Sequence, residues 1–456
     1  MRQSIAIAII VTLAPALALG QAKKGAPKPK LDPKWIEQIA ALKPDEQVTA
    51  VTAKMSEFNP GFKGPLTHKI ADNVVVAFTF DGEYVTDLSP LRAFEKLKKL
   101  ECVGVTKCID LSPLRGLKLT DIYINSAQII DLSPLKGMPL ETFHLNYSGV
   151  SSLSPFQKMT TLRELTLDHG GMVSDLKPLE GLPLKRLSLH GSAKVRDVTP
   201  LKGMPLKYLG LINTSVADIT ALKGMELETL ETAGSKVVEY GVIQGMPIRT
   251  LSVTRASDLE MKKLFREMPL EVLSITEGSG VTDLAPLAGK KLTSLVLRNG
   301  SFKDVKAIEG MKFTSLDLSN CAKLVDIAAL KGMSFFLLIL TGTSPKDFTP
   351  LEKISVHGLD LSKCNNLKSL KFLEGATISI LDIGETPTAD LSPLAAVKFL
   401  TKLRCVKTLV KDFSPLKNTA ITYLDCDIKG PKDIAALKAI KTLKVLNGKP
   451  ATEILK

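Results

Sequence analysis

One ten-residue phrase recurs along this chain, and the spacing of its copies leaves few folds open. In the copy Asp131-Leu132-Ser133-Pro134-Leu135-Lys136-Gly137-Met138-Pro139-Leu140, the phrase leads into Phe143-His144-Leu145. Close variants of its first residue stand at 87, 110, 131, 152, 175, 197, 218, 239, 258, 283, 304, 326, 347, 369, 390, 412 and 433. The gaps run from 19 to 25 residues and nearly all are 21 to 23. That period is too short for helical-hairpin repeats or propeller blades. A chain built this way grows by stacking, so 456 residues need no second core.

Each copy has a physical reading. Leu316-Asp317-Leu318 alternates as a short strand, its leucines turned inward and its middle residue outward. A small residue follows at Ser192, Thr214, Cys321, Thr343, Cys364 and Thr386, where its side chain can bond turn backbone that is otherwise buried unpaired. The Asp column then opens a return limb, its carboxylate placed to accept backbone N–H groups in an Asx-turn. Ser133-Pro134 reads as a helix cap followed by proline, and Gly137 ends the turn after a few residues. The expected fold is α/β: a leucine-rich-repeat solenoid, a curved right-handed superhelix of about seventeen repeats. Its parallel sheet lines the concave side, short 3-10 or α turns the convex side.

Five segments follow in chain order. Residues 1–22 carry Arg2, an apolar run from Ile5 to Leu19 and small residues at its exit, the pattern of a secretory signal peptide, with a retained membrane anchor as the alternative. Residues 23–34 form a Lys- and Pro-rich linker, a solvated spacer or a tether to a membrane surface or polyanion. Residues 35–64 turn helical, with Trp35, Ile36, Ile39 and Leu42 on one face and Val48, Val51, Met55 and Phe58 on a second helix; they are expected to cap the first open coil. The repeats occupy 65–446, and 447–456 is read as a C-terminal tail. One stretch, Leu259 to Met268, lacks proline and glycine and allows a true convex helix where the period slips, with a local change of curvature near residues 239 to 283.

Charge and cysteines bound the function. Part of the formal charge of +13 is expected on a convex ridge that bears Arg92, Arg115, Lys136, Lys202, Lys223, Lys331, Lys417 and Lys438 together with Glu180, Glu309, Glu352 and Glu374, read as a solvated face with a basic bias. No nucleic-acid motif accompanies it, so nucleic acid is not expected as a partner. Among six cysteines, Cys321 and Cys364 sit two coils apart, about 10 Å, beyond a disulfide's reach. Cys405 and Cys426 lie on adjacent coils, where a bridge is conceivable and free thiols are favoured.

No metalloprotease helix, P-loop, nucleophile elbow or C-x-x-C occurs, and neither an enzyme nor a cofactor or metal is expected. The candidate ligand-binding residues are outward positions of the concave strands: Tyr123, His144, Asn146, Asp168 and His190 in the first half, Arg298, Asp317, Asp360, Asp382, Arg404 and Asp425 in the second. Register sets Asp168 beside His190 with Ser188 on the same strand, which raises a hydrolytic triad or a metal pair as minor alternatives to a polar contact patch. The second group makes an acidic strip suited to a cationic partner.

The Asp-Leu-Ser-Pro-Leu unit with its L-x-L strands resembles internalin-type bacterial leucine-rich repeats. The longer form ending Lys-Gly-Met-Pro-Leu, with Trp35 and Asn59-Pro60-Gly61-Phe62, resembles repeat regions linked to bacterial serine/threonine kinases, over roughly residues 33 to 446. The kinase motifs themselves are absent, as are the long Asn-rich column and wall anchor of internalins, so host-receptor binding does not carry over. Two functions are weighed. One is an exported binding scaffold, periplasmic or at the cell surface and without a transmembrane segment once mature, that takes a protein or glycan on its concave sheet. The other is an envelope structural protein that binds an anionic cell-envelope polymer through linker and ridge.

Overall fold

The computed structural model describes residues 31–265 and 267–456. The expected signal segment and most of the linker lie outside the described residues. Two helices, α1 (Pro33–Ala40) and α2 (Pro44–Phe58), precede a hairpin of β1 (Pro65–Ala71) and β2 (Val74–Asp81). From β2 onward the strands pair parallel, each with the next copy, as far as Val445–Leu446. A single sheet of twenty strands results among the described residues. Its first and last pairings are antiparallel, β1 on β2 and Lys449–Pro450 on Val445–Leu446, so eighteen strands run parallel. At the usual strand spacing that row is about 80 Å long.

The core follows from the inward leucines. Leu165, Leu187, Leu209, Leu230 and Leu251 are mutual register partners and are wholly buried. Opposite them the return limbs are single 3-10 turns such as Ser133–Leu135, whose prolines and leucines are buried. Most of these turns are clasped by an Asp two residues ahead, with Ser152, Glu239 and Ser369 in that place in three copies. Asp131 Oδ1 accepts the Ser133 N–H at 2.8 Å, and the same bond recurs at Asp110, Asp175, Asp197, Asp218, Asp347, Asp390 and Asp412. The serine is therefore not the cap acceptor that Ser133-Pro134 suggests. Its hydroxyl instead donates to Asp131 Oδ2 at 2.8 Å, because the carboxylate already holds the turn's free N–H. The small column bonds carbonyls, with Ser192 Oγ on Leu167 O, Thr214 Oγ1 on Leu211 O and Cys364 Sγ on Leu340 O.

These clasps make stability sensitive to acid. Bonds from the Ser or Thr two places on hold the carboxyls of Asp131, Asp218, Asp347, Asp390 and Asp412 below the usual carboxylate range, the N–H leading at Asp131, Asp218 and Asp412 and the hydroxyl at Asp347 and Asp390. A carboxyl with a depressed folded pKa stabilises fully above its unfolded pKa and loses that contribution as pH falls through the folded value. Thermal unfolding should thus be flat through neutral pH and drop below about pH 3.8, the ordinary Asp value. Asp131→Asn and Asp390→Asn should each shrink that acid-sensitive step.

Three expectations are corrected. The stretch from Asp258 is α-helical only over Asp258–Glu260 and then becomes a π-helix, Met261–Phe265, short of Met268. A π-turn absorbs extra residues without lengthening the limb. The copy at Asp433 replaces the 3-10 turn by an α-helix, Pro431–Lys438, with Asp433 inside it. Residues 447–456 are not a tail: Lys449–Pro450 and the helix Ala451–Ile454 fold back over the final coil. Cys405 and Cys426 are free and buried, and burial pushes the Cys426 thiol up to about 12.

Candidate functional site

Three outward columns cross the concave sheet, two residues apart along each strand. The middle one runs Tyr123, His144, Thr166, Ser188, Gly210, Glu231 in its first half and Asp317, Ile339, Asp360, Asp382, Arg404, Asp425 in its second. The candidates from the sequence thus do share one face, in two clusters.

In the first cluster the polar groups are largely spent on one another. Tyr123 packs on His144, ring centroids 4.7 Å apart, with the Lys99 ammonium 4.9 Å from the Tyr123 ring. Asn146 Oδ1 accepts the Asp168 N–H at 3.2 Å. Asp168 Oδ1 accepts both the Ser188 hydroxyl at 2.6 Å and the His190 N–H at 2.9 Å. The His190 ring turns the other way. Its Nδ1 accepts the Ile212 N–H at 3.1 Å, so the ring proton sits on Nε2, which faces Tyr208 Oη at 3.0 Å and Glu231 Oε2 at 3.2 Å. The Tyr208 hydroxyl donates to Glu231, and the Arg186 guanidinium lies 3.4 Å over the Tyr208 ring. Burial, and then Glu231, raises the Tyr208 hydroxyl's pKa. Burial acts to raise Glu231 too, but the bonds from His190 and Tyr208 outweigh it and hold that carboxyl low.

This geometry excludes the triad. Ser188 is wholly buried and gives its proton directly to Asp168, leaving no imidazole to act as base and no exposed nucleophile. A metal pair fails on the same ground, since both nitrogens of His190 are taken. The His144 pKa is lowered chiefly by burial, against the raising effect of Glu164, whose Oε2 lies 3.9 Å from His144 Nε2; that nitrogen and the neighbouring Thr166 Oγ1 are sealed from solvent with no partner at hydrogen-bond distance.

The network depends on a glycine that the sequence reading passed over. A Cβ at Gly210 would lie 2.6 Å from Cε1 and 2.8 Å from Nε2 of His190. Gly210→Ala should therefore displace the imidazole and cost about 1–3 kcal/mol by overpacking. The check is thermal unfolding together with loss of the His190 ring signal's native NMR shift. Tyr208, Glu231 and Arg186 were missed as well. Arg186 stands on the same coil as His190, and Tyr208 and Glu231 lie one and two coils beyond it, so tracing columns at the repeat period finds them.

In the second cluster the groups divide. Arg298 closes over Asp317 at 2.7 Å, and Asp317 is only 2% exposed, so it belongs to the interior and not to the acidic strip. Arg404 pairs with Asp382 at 3.1 Å and not with Asp425. Burial, with Asp360 alongside, raises the Asp382 carboxyl against the opposing Gly384 N–H and Arg404. The Asp360 carboxylate accepts the Ser362 N–H at 2.8 Å. Among the described residues no cation pairs with Asp360 or Asp425. Apolar side chains that the sequence reading left out stand beside these acids: Phe336, Leu337 and Ile380. Two shallow surface depressions, around Asp304, Lys306 and Asp326 and along Asp45, Thr49 and Ala53, hold none of the candidate residues.

One coil per repeat, parallel strands on one side and 3-10 turns on the other define a leucine-rich-repeat solenoid. No protein-family model matches the chain, and no curated protein does. Solved structures do. An internalin from Listeria monocytogenes is 21% identical over 87% of this chain and 98% of its own, with a TM-score of 0.41. The functional domain of InlJ from Listeria monocytogenes is 18% identical over 81% and 72%, with a TM-score of 0.42. A leucine-rich-repeat protein of Leptospira interrogans is 16% identical over 90% and 97%, also with a TM-score of 0.42.

Proposed function

We propose that this protein is a non-enzymatic scaffold that recognises a protein ligand on its concave sheet. The observation that carries the reading is the open face itself. Outward side chains stand there in regular columns, with Asp360 and Asp425 free of ion pairs and Phe336 52% exposed, while the one constellation resembling catalytic machinery is locked into its own hydrogen bonds. Apolar and anionic groups in parallel bands suit a polypeptide surface better than a glycan, which offers no cations. No helix among the described residues is long and apolar enough to cross a membrane. Export, with removal of residues 1–22, is part of this proposal and rests on the character of that opening segment.

The experiment is capture of a partner from envelope extracts by the immobilised protein, repeated with variants. Ile380→Asp and Glu231→Arg on the concave face should abolish capture of the same identified partner. Lys136→Glu and Lys202→Glu on the convex ridge should leave it intact, as should moderate salt. Capture lost only with the ridge variants and with salt would instead favour the envelope-polymer reading.

A further inference from the structure

The second half of the concave sheet has both an apolar band and an acidic band. Along the strands from Ser334–Ile339 to Tyr423–Asp425, Leu337, Gly358 and Ile380 are register neighbours in one column, and Asp360, Asp382, Arg404 and Asp425 in the next. At the flank of the apolar column, Phe336 stacks on His357 with centroids 4.7 Å apart and planes at 14°. Phe336 is 52% and Ile380 37% exposed, large apolar side chains two coils apart with Gly358 on the coil between them. Gly358 keeps the band level: a Cβ there would lie 3.0 Å from Leu337 Cδ1, so Leu337 leans across the space the glycine leaves. Exposed apolar groups rimmed by charge mark interaction surfaces.

We propose that this strip docks a basic amphipathic helix presented by a protein partner, its apolar face over Phe336, Leu337 and Ile380 and its flanking Lys or Arg side chains on Asp360, Asp382 and Asp425. The inference rests on the reading of the concave sheet as the binding face and names the chemistry of what binds there. Charge complementarity sets the sign: three carboxylates share one arginine, and Asp360 and Asp425 have no cation of their own. Spacing sets the shape. A helix lying across the strands advances about 5.4 Å per turn against about 4.8 Å per strand, so four turns stay nearly in step with four coils. An extended segment laid the same way repeats a face only every 6.6 Å or so and falls out of step within two coils. The two bands lie about 6.6 Å apart along the strands, within the width of one helix.

The test uses the intact protein and a fluorescein-labelled, alanine-based helical peptide of about 18 residues, long enough for four turns, with leucines on one stripe and lysines beside it. Its controls are the same peptide with glutamate for lysine and a scrambled peptide of equal composition. Fluorescence anisotropy should give the lysine helix at least a tenfold lower Kd than either control. Asp360→Lys combined with Asp425→Lys, or Ile380→Asp alone, should weaken it at least tenfold, while Glu164→Lys, whose carboxylate lies 3.9 Å from His144 Nε2 at the edge of the first cluster, leaves it unchanged; circular dichroism of each variant should match the parent. Equal binding of the scrambled peptide, indifference to the charge reversals, or an equal loss with Glu164→Lys would overturn the inference. If the helix fails but partner capture still depends on concave residues, the docking chemistry is wrong and the scaffold reading stands.

Discussion

Replacing Asn59 with alanine should release the N-terminal cap from the array. Asn59 is wholly buried between α2 and the first return limb. Its Nδ2 donates to Met55 O at 3.0 Å and Asp87 O at 2.9 Å, and its Oδ1 accepts the N–H groups of Thr86 and Asp87, each at 2.8 Å. No other single side chain described above joins two elements through four backbone groups. Alanine removes every one of those bonds in a site closed to water, where each lost bond to a buried group costs about 1–3 kcal/mol. Losses within one such cluster are not additive, and a total near the low end of the sum, about 4–5 kcal/mol, is expected, enough to open a local unit without unfolding the remainder. Hydrogen exchange should show residues 33–62 exchanging at least a hundredfold faster while strands past the middle of the array keep their protection. Uniform acceleration along the whole chain, or none, would contradict this account.

Phe156→Ala should have a comparable effect within the repeats. Phe156, in the 3-10 turn Ser154–Phe156, packs on Phe143 of the strand Thr142–Asn146 with centroids 5.4 Å apart, and both are wholly buried. The equivalent positions in neighbouring copies hold Leu135 and Leu179. Alanine therefore leaves a cavity larger than any copy has evolved around, with an expected loss of about 3–5 kcal/mol. Phe156→Leu, which restores the common residue, should cost under about 1.5 kcal/mol. Chemical denaturation of the two variants side by side separates a cavity from a mere change of side chain. Because each coil touches only its neighbours, protection should fall most around residues 131 to 188.

The repeat register was open to reading because two independent patterns agree on it. L-x-L fixes which residues face inward, and the Asp two residues ahead of most 3-10 turns fixes where the return limb begins. The ends of the array were less legible. Nothing in Pro65–Ala71 or Lys449–Pro450 repeats, so a period-based reading has no purchase on a strand that turns back antiparallel. The π-turn at Met261–Phe265 escaped for a related reason: helical propensity says that a segment can coil, not how many residues each turn takes up. The concave candidates were placed on the correct face, but their bonding was not foreseeable residue by residue. Whether Asp317 is free depends on Arg298 one coil earlier, and whether His190 is free depends on the absence of a side chain at Gly210. Alternation within a strand predicts direction. It takes the cross-strand partner to decide availability.

The antiparallel hairpins at both ends have a consequence for how this protein is counted. A bare parallel edge is a template that accepts another parallel coil, from the same chain or from a second molecule. Here β1 and Lys449–Pro450 run antiparallel to the array, so a coil laid on either edge in the array's own direction would pair antiparallel and could not continue the coil-on-coil stacking. The sheet is consequently a ruler of fixed length, with its graduations set in the gene and not by assembly. Adding or deleting one whole repeat between the His190 cluster and the Asp382 strip would move the two by one strand spacing, about 4.8 Å, while leaving each internally unchanged. A ligand that bridges both marks would register that single step, and a ligand seated on one mark would not.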